Sequence, residues 1–251
     1  MFIPLHDANR LRHVRRQYVT LAVIGLNLLF FSVTGLAGQP FLQANAYGFG
    51  FTPAAVSGQV ALQPHVPVFA TYVTYSFLHG DIIHLLGNMV FLWVFGDNVE
   101  DALGHARFLF FYLAGAAAGA AAHQLALPDS QVPLIGASGA VASVVAAYLL
   151  LHPRVKLWVL VLGRIPLRLP AIVPLALWIG YQFLMLATTP ADLVSWPAHV
   201  GGIAAGAILV VLLRRPGVPL FDREVTVPRA AVLEPGNPGA PVRRAGPRRV
   251  L

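Results

Sequence analysis

Residues 196 to 213 read WPAHVGGIAAGAILVVLL, an apolar block that carries a single histidine and no charged residue. A helix that spans a bilayer needs about 20 mostly apolar residues to cross a hydrocarbon core of roughly 30 Å. This block therefore predicts a transmembrane helix, and five similar blocks precede it. The six predicted spans cover residues 18–36, 78–95, 108–127, 134–151, 169–187 and 196–213.

The composition supports a membrane protein. Hydrophobic residues make up 57% of the 251 residues and charged residues 11%, against about 25% charged in a soluble domain. We therefore predict an all-α, polytopic membrane helix bundle with six transmembrane helices over residues 18–213. Residues 1–17 form a cytoplasmic segment in this interpretation, and residues 214–251 a disordered tail rich in arginine and proline. The apolar stretch 155–162 is too short to span and is placed at the membrane interface.

The positions of the basic residues predict the orientation. All 17 lysines and arginines fall in the two terminal segments and in the loops after the second and fourth spans. The loops 37–77, 128–133 and 188–195 contain none, so the positive-inside rule places both termini in the cytoplasm. The net charge of +7 then reflects membrane topology, with the basic tail near anionic lipid, rather than nucleic-acid binding. The first span lacks a small-residue cleavage site and reads as a retained signal anchor.

Four polar side chains from three spans are predicted to share one depth in the bundle. Counted back from the polar residue that ends each span, at 1.5 Å per residue, Ser138, His199 and His84 each lie roughly 20 Å above the inner boundary. Asn88 lies one helical turn from His84 on the same face. The chain has no cysteine, so a thiol nucleophile is excluded. These residues supply instead a hydroxyl nucleophile, a base and donors for an oxyanion, as acyl transfer requires.

Each of these residues also has a structural interpretation when taken alone. Glycine and alanine around Ser138 are common packing residues in membrane helices. A single intramembrane histidine can be a hydrogen-bonded structural group or part of a proton path, and Asn88 can join two helices. Their common depth favours the joint catalytic interpretation. The remaining polar side chains within or beside the spans are interpreted as structural; they are Asn27, His79, His123, Gln124 and Gln182.

Several sequence motifs cover most of residues 77 to 206. They are Phe77-Leu78-His79-Gly80-Asp81, His84-Leu85-Leu86-Gly87-Asn88, Val99-Glu100-Asp101, Leu103-Gly104, Arg107-Phe108, Phe111-Tyr112-Leu113-Ala114-Gly115, Gly136-Ala137-Ser138-Gly139 and Ala198-His199-Val200-Gly201-Gly202. In these motifs and in their order, the chain resembles the rhomboid intramembrane serine proteases of bacteria, in the six-helix form.

The resemblance implies an endopeptidase with a Ser-His dyad and no carboxylate partner. Ser138 falls on the nucleophile position and His199 on that of the general base. His84 and Asn88 fall on the oxyanion-binding positions, together with the Ser138 backbone N–H. The family cleaves transmembrane protein substrates near the outer face and needs neither a metal nor a cofactor. The expected location is the inner membrane of a bacterium.

The sequence differs from the family pattern at two sites, and two alternative functions are considered. Ala70 and Thr71 stand where many members have a Trp-Arg pair, and Ala142 stands where some members have a tyrosine against the catalytic histidine. The sequence alone does not indicate what orients His199 instead. An inactive rhomboid-like escort protein is disfavoured because both dyad residues are present. A small transporter or proton conductor is disfavoured because the spans lack interior carboxylates.

Overall fold

The structure is a computed structural model that describes residues 2–35, 37–161, 163–189 and 194–222. The described chain is mostly helical. Its elements, in chain order, are β1 (Phe2–Asp7), α1 (Tyr18–Thr34), α2 (Gln39–Phe49), α3 (Pro53–Val56), α4 (Thr71–Thr74), α5 (Ile82–Leu103), α6 (His105–Ala126), α7 (Ser138–Leu151), β2 (Lys156–Val161), β3 (Ile165–Pro170), α8 (Ile172–Thr188) and α9 (Trp196–Leu213), with short 3-10 turns at Val68–Ala70 and Tyr75–Phe77.

Six helices occupy the six predicted apolar blocks. Within the described residues, α5, α6 and α9 are long and apolar enough to cross a membrane, while α1, α7 and α8 are apolar but shorter. The block 134–151 shortens because its first residues are extended. Leu134 forms a β-bridge with Phe51, and Gly136 has a φ of +120°, a conformation that favours glycine. As a result α7 begins at Ser138.

The predicted fold is confirmed as mostly helical, but it is not all-α, because three strands form a small antiparallel sheet in the described residues. The order is β1-β2-β3, and β1 pairs with β2 from Phe2 opposite Val161. Most of the stretch 155–162, placed at the interface from its apolar character, forms β2. Its sequence, KLWVLV, is rich in strand-forming residues, and Leu157 and Val159 are buried. The partner strand β1 is so distant in the chain that local patterning could not reveal the pairing.

Two carboxylates at the end of α5 anchor the N-terminal segment. The Asp101 carboxylate accepts hydrogen bonds from the backbone N–H groups of residues 12–14. The Glu100 carboxylate accepts from the N–H groups of residues 19 and 20, at the start of α1. Free N–H groups at a helix N-terminus favour negative charge, so Glu100 stabilises the first turn of α1. The segment 1–17 is thus tied to the helical bundle over its described residues.

The first part of the predicted tail also contacts the bundle. The Arg215 N–H donates to the Ala102 carbonyl, and the N–H groups of Phe221 and Asp222 donate to the carbonyls of Leu150 and Leu151. The last two bonds satisfy carbonyl groups that α7 would otherwise leave free at its C-terminus. Residues 223–251, the rest of the tail predicted to be disordered, lie outside the described residues.

Close backbone packing joins α7 and α9. A Cβ atom added at Gly202 would lie 2.9 Å from the carbonyl carbon of Gly139, and one added at Gly206 would lie 2.7 Å from that of Ser143. Only a residue without a side chain allows this approach. The two glycines therefore hold α9 directly against the first half of α7.

Candidate active site

Ser138 and His199 are hydrogen-bonded to each other. The Oγ atom of Ser138 lies 2.8 Å from Nε2 of His199. Ser138 is the first residue of α7, and His199 lies in the first turn of α9, where the Ser195 hydroxyl accepts from the Ala198 N–H. The Gly202 contact with Gly139 lies one turn after His199 on α9 and one residue after Ser138 on α7. The depth count from sequence and the packing of small residues therefore lead to the same pair.

Gln182 and two tryptophans surround the His199 imidazole. The Gln182 Oε1 atom lies 2.8 Å from Nδ1 of His199. The Trp178 ring stacks on the imidazole with centroids 6.3 Å apart, and the Trp196 ring meets it at right angles at 5.8 Å. Gln182, Trp178 and Trp196 therefore contact the imidazole in a chain that has Ala142 where some family members have a tyrosine.

Gln182 contacts the site although it is not among the residues predicted to form it. It was predicted to be structural, but its side chain is 2% exposed and is directed at His199. The available signal was a lone amide in the middle of the apolar sequence of α8. An amide in such a place needs a partner, and sequence spacing alone could not identify His199 as that partner.

Asn88 and His84 lie on the α5 side of the site, without a direct hydrogen bond to Ser138. The Asn88 amide nitrogen donates to His79 Nε2 at 3.1 Å and to the His84 carbonyl at 3.2 Å. The His84 ring lies against Gly136, where an added Cβ would be 2.6 Å from its Nε2 atom. His84 therefore borders the extended residues that lead into Ser138.

His79, predicted to be structural, links Asn88 to the same loop. Its ring is fully buried, and its Nε2 atom accepts from the Asn88 amide and, at 3.5 Å, from the Ala137 N–H. His79 thus connects the Asn88 side chain to Ala137, the residue before the nucleophile. The local sequence signal for this role was the motif His79-Gly80-Asp81. In the structure, the Asp81 carboxylate accepts a hydrogen bond from the His84 N–H.

The other polar residues predicted to be structural have partners away from Ser138. Asn27 donates to the Val23 carbonyl of its own helix, and Gln124 donates to the Ser57 hydroxyl. His123 Nδ1 lies 2.7 Å from the Ser195 hydroxyl. His123 and Gln124 thus connect α6 to the caps of two other helices, and Asn27 bonds within α1, which agrees with the structural interpretation.

The solvent exposure of the site differs between its two sides. His199 and Asn88 are buried at 8% and 7% exposed, whereas Ser138 and His84 are intermediate. A reacting group can therefore approach the hydroxyl from the His84 side while the base stays shielded. The arrangement provides a hydroxyl, an adjoining base, and nearby N–H donors, which suits acyl transfer.

Comparisons with known proteins show that this site lies within a known protein domain. The Rhomboid domain profile matches residues 67–216. The chain is 30% identical to RHOMBOID-like protein 12, mitochondrial, of Arabidopsis thaliana over 58% of this chain and 46% of that protein. It is 29% identical to Rhomboid-related protein 3 of Homo sapiens over 82% of this chain and 50% of that protein. It is also 29% identical to Rhomboid protease GluP of Bacillus subtilis over 59% and 27%, respectively.

The Rhomboid domain match covers all the site residues described above, whereas the alignments cover only part of each relative. The alignments span about half the length of the first two relatives. One of the similar proteins is named as a protease, and the domain match over residues 67–216 includes Ser138 and His199.

Proposed function

Because the chain belongs to the rhomboid family, we propose that it is a serine endopeptidase that cleaves transmembrane segments of other membrane proteins inside the bilayer. One observation carries the proposal. The hydroxyl of Ser138 is hydrogen-bonded to the imidazole of His199 at 2.8 Å, between two helices of a membrane bundle. A serine is a weak nucleophile unless an adjacent base takes its proton, and this pair meets that requirement.

In the proposed reaction, His199 Nε2 takes the Oγ proton as the Ser138 oxygen attacks the carbonyl carbon of the scissile peptide bond. The tetrahedral intermediate collapses with cleavage of the C–N bond, and the imidazolium gives its proton to the leaving amine. A water molecule then attacks the acyl-enzyme, again with His199 as the base, and releases the carboxylate product and the free serine. The net change is hydrolysis of one peptide bond, without a metal or cofactor.

The oxyanion is assigned to donors on both sides of the nucleophile. Ser138 is the first residue of α7, so its backbone N–H has no partner within the helix. His84 and Asn88 complete the proposed set. Because the Asn88 amide is bonded to His79 and to the His84 carbonyl in the free protein, substrate binding must exchange one of these bonds for the oxyanion.

The proposed topology has six membrane crossings, with both termini in the cytoplasm of a bacterial cell and the protein in its inner membrane. The segments that carry basic residues lie together at one end of the bundle, which supports this topology. β1, the β2–β3 hairpin and residues 214–222 gather near the C-terminal end of α7, whereas Ser138 is at the N-terminal end of the same helix. At 1.5 Å per residue, the helix separates them by roughly 20 Å. Cleavage would then occur toward the outer face.

The test is cleavage of a transmembrane peptide substrate by the purified protein in liposomes. The wild type should cleave it, Ser138→Ala and His199→Ala should not, and a fluorophosphonate probe should label Ser138 much less in His199→Ala. Ser143→Ala is the matched control, since Ser143 lies on α7 but donates to the Ala140 carbonyl, and it should stay active. Binding of the substrate without cleavage or labelling by the wild type would indicate an inactive escort protein instead.

A further inference from the structure

Gln182 occupies the side of the catalytic histidine that faces away from the nucleophile. Its Oε1 atom is 2.8 Å from His199 Nδ1, while His199 Nε2 is 2.8 Å from Ser138 Oγ. The other end of the amide is also engaged, because Gln182 Nε2 donates to the Trp178 carbonyl at 3.0 Å. Three side chains from α8, α9 and α7 thus form one hydrogen-bonded row.

The row determines which imidazole nitrogen carries the proton. The Trp178 carbonyl can only accept, so the NH₂ group of Gln182 must face it and the amide oxygen must face His199. An amide oxygen also only accepts, so His199 Nδ1 must donate. In the neutral ring the other nitrogen, Nε2, is then an unprotonated acceptor that faces the Ser138 hydroxyl. This is the tautomer that a general base requires.

We propose that Gln182 is a positioning residue that orients His199 and selects its reactive tautomer, an inference that rests on the protease function proposed above. It acts through His199 and touches no reacting atom. The role resembles that of the aspartate in soluble serine proteases, which holds the histidine in the correct tautomer. A neutral amide performs it here in a buried setting, where an unpaired carboxylate would be costly.

The same helix supplies a second restraint on the ring. Trp178 lies one turn before Gln182 on α8, stacks on the imidazole, and accepts the amide N–H. Rotation of the imidazole would break the Nδ1 bond and the stacking together. The geometry therefore predicts that α8, which carries neither member of the dyad, controls the orientation of the base.

The test compares Gln182→Met, which keeps the side-chain length without an acceptor, with Gln182→Glu, which keeps the acceptor. Gln124→Met is the control, because Gln124 lies on α6 and bonds to Ser57. We expect kcat of Gln182→Met to fall by about 10- to 100-fold with little change in KM, less than the ~10⁴-fold loss when the orienting aspartate of a soluble protease is replaced. Gln124→Met should keep the wild-type kcat.

The pH profile separates positioning from packing. A carboxylate at position 182 favours the protonated imidazole, so Gln182→Glu should be active at high pH, with the acidic limb of its kcat profile moved to higher pH. A packing role would predict instead that both variants lose activity in proportion to folded protein. Equal kcat values for Gln182→Met and Gln124→Met, each normalised to folded protein, would overturn the inference.

A spectroscopic measurement keeps this inference separate from the proposed activity. Protein labelled with ¹⁵N-histidine, with the His199 signals identified by their absence in His199→Asn, reports which nitrogen is protonated in the neutral ring. We expect the Nδ1–H form in the wild type and a mixture in Gln182→Met. An Nε2–H form in the wild type would refute the role of Gln182 even in an active protease. If the wild type neither cleaved the substrate nor reacted with the probe, the proposed protease function would be refuted. The tautomer result would still stand.

Discussion

Gly202→Ala should displace the catalytic histidine without altering any polar group of the site. The new Cβ would lie 2.9 Å from the Gly139 carbonyl carbon and closer still to its oxygen. Because nonbonded carbon atoms are optimally separated by about 3.5–4.0 Å, α9 and α7 must move apart by roughly 1 Å. The contact is with backbone rather than with a flexible side chain, so local side-chain rotation cannot relieve it.

That movement acts directly on the dyad. His199 lies one turn before Gly202 on α9, and Ser138 is adjacent to Gly139 on α7. A separation of roughly 1 Å would lengthen the 2.8 Å bond between Ser138 and His199 beyond ordinary hydrogen-bond geometry. Misplacement on this scale can cost about 10²-fold in rate. We expect Gly202→Ala to lose activity by about that factor and to lower the melting temperature.

The assay measures kcat on the transmembrane substrate together with fluorophosphonate labelling and a melting curve in the same detergent. Gly25→Ala is the matched control, because nothing lies within 4 Å of a Cβ added at Gly25 on α1. It should keep full activity and gain slightly in stability, since alanine favours helices over glycine. If Gly202→Ala, corrected for folded protein, were as active as Gly25→Ala, the close packing of α7 and α9 would not determine the dyad geometry.

Three further predictions concern the topology, the oxyanion and the buried acid of β1. In a chain without cysteine, Gln59→Cys should react with an impermeant thiol reagent in intact cells and Arg164→Cys should not; the opposite pattern would invert the proposed orientation. Asn88→Ala should fold yet lose on the order of 10²-fold in kcat, and wild-type turnover would leave Asn88 as a packing residue. Burial raises the pKa of Asp7 from 3.8 to about 6, so the folded state binds more protons than the unfolded state between these values and loses stability as the pH rises through them. Relative to wild type, Asp7→Asn should therefore gain on the order of 2 kcal/mol in unfolding free energy between about pH 4 and about pH 6.5; parallel stability profiles would contradict this.

Sequence reasoning worked best where the signal lies within a single helix. The apolar blocks gave the helices, with α9 matching its predicted range of 196–213. Counting residues along helices brought Ser138, His199 and His84 to one layer, because the rise per residue is nearly constant. The hydrogen bond between Ser138 and His199 agrees with that count, and the glycine contacts bring α7 and α9 close together.

The features that sequence reasoning missed depend on pairing between distant segments. Whether Gln182 faces His199 depends on how α8 is rotated about its axis. A helix that is apolar on all sides gives no sequence signal for that rotation. The β1–β2 pairing joins residues 2–7 to residues 156–161, and each strand is only six residues long. Asp7 illustrates the same limit, because its partners Asn98 and Tyr148 come from two different helices.

The pairing of β1 with β2 also has a consequence for the order of biosynthesis. The first strand to leave the ribosome needs a partner that ends at Val161. At about 5–20 residues per second, the ribosome takes roughly 10 to 30 s to reach that point. The backbone groups of β1 that pair with β2 must therefore wait until most of the described helices have been made. The sheet can therefore close only after β2 has been made, later than the contacts of Asp101 and Glu100 with the N-terminal segment become possible.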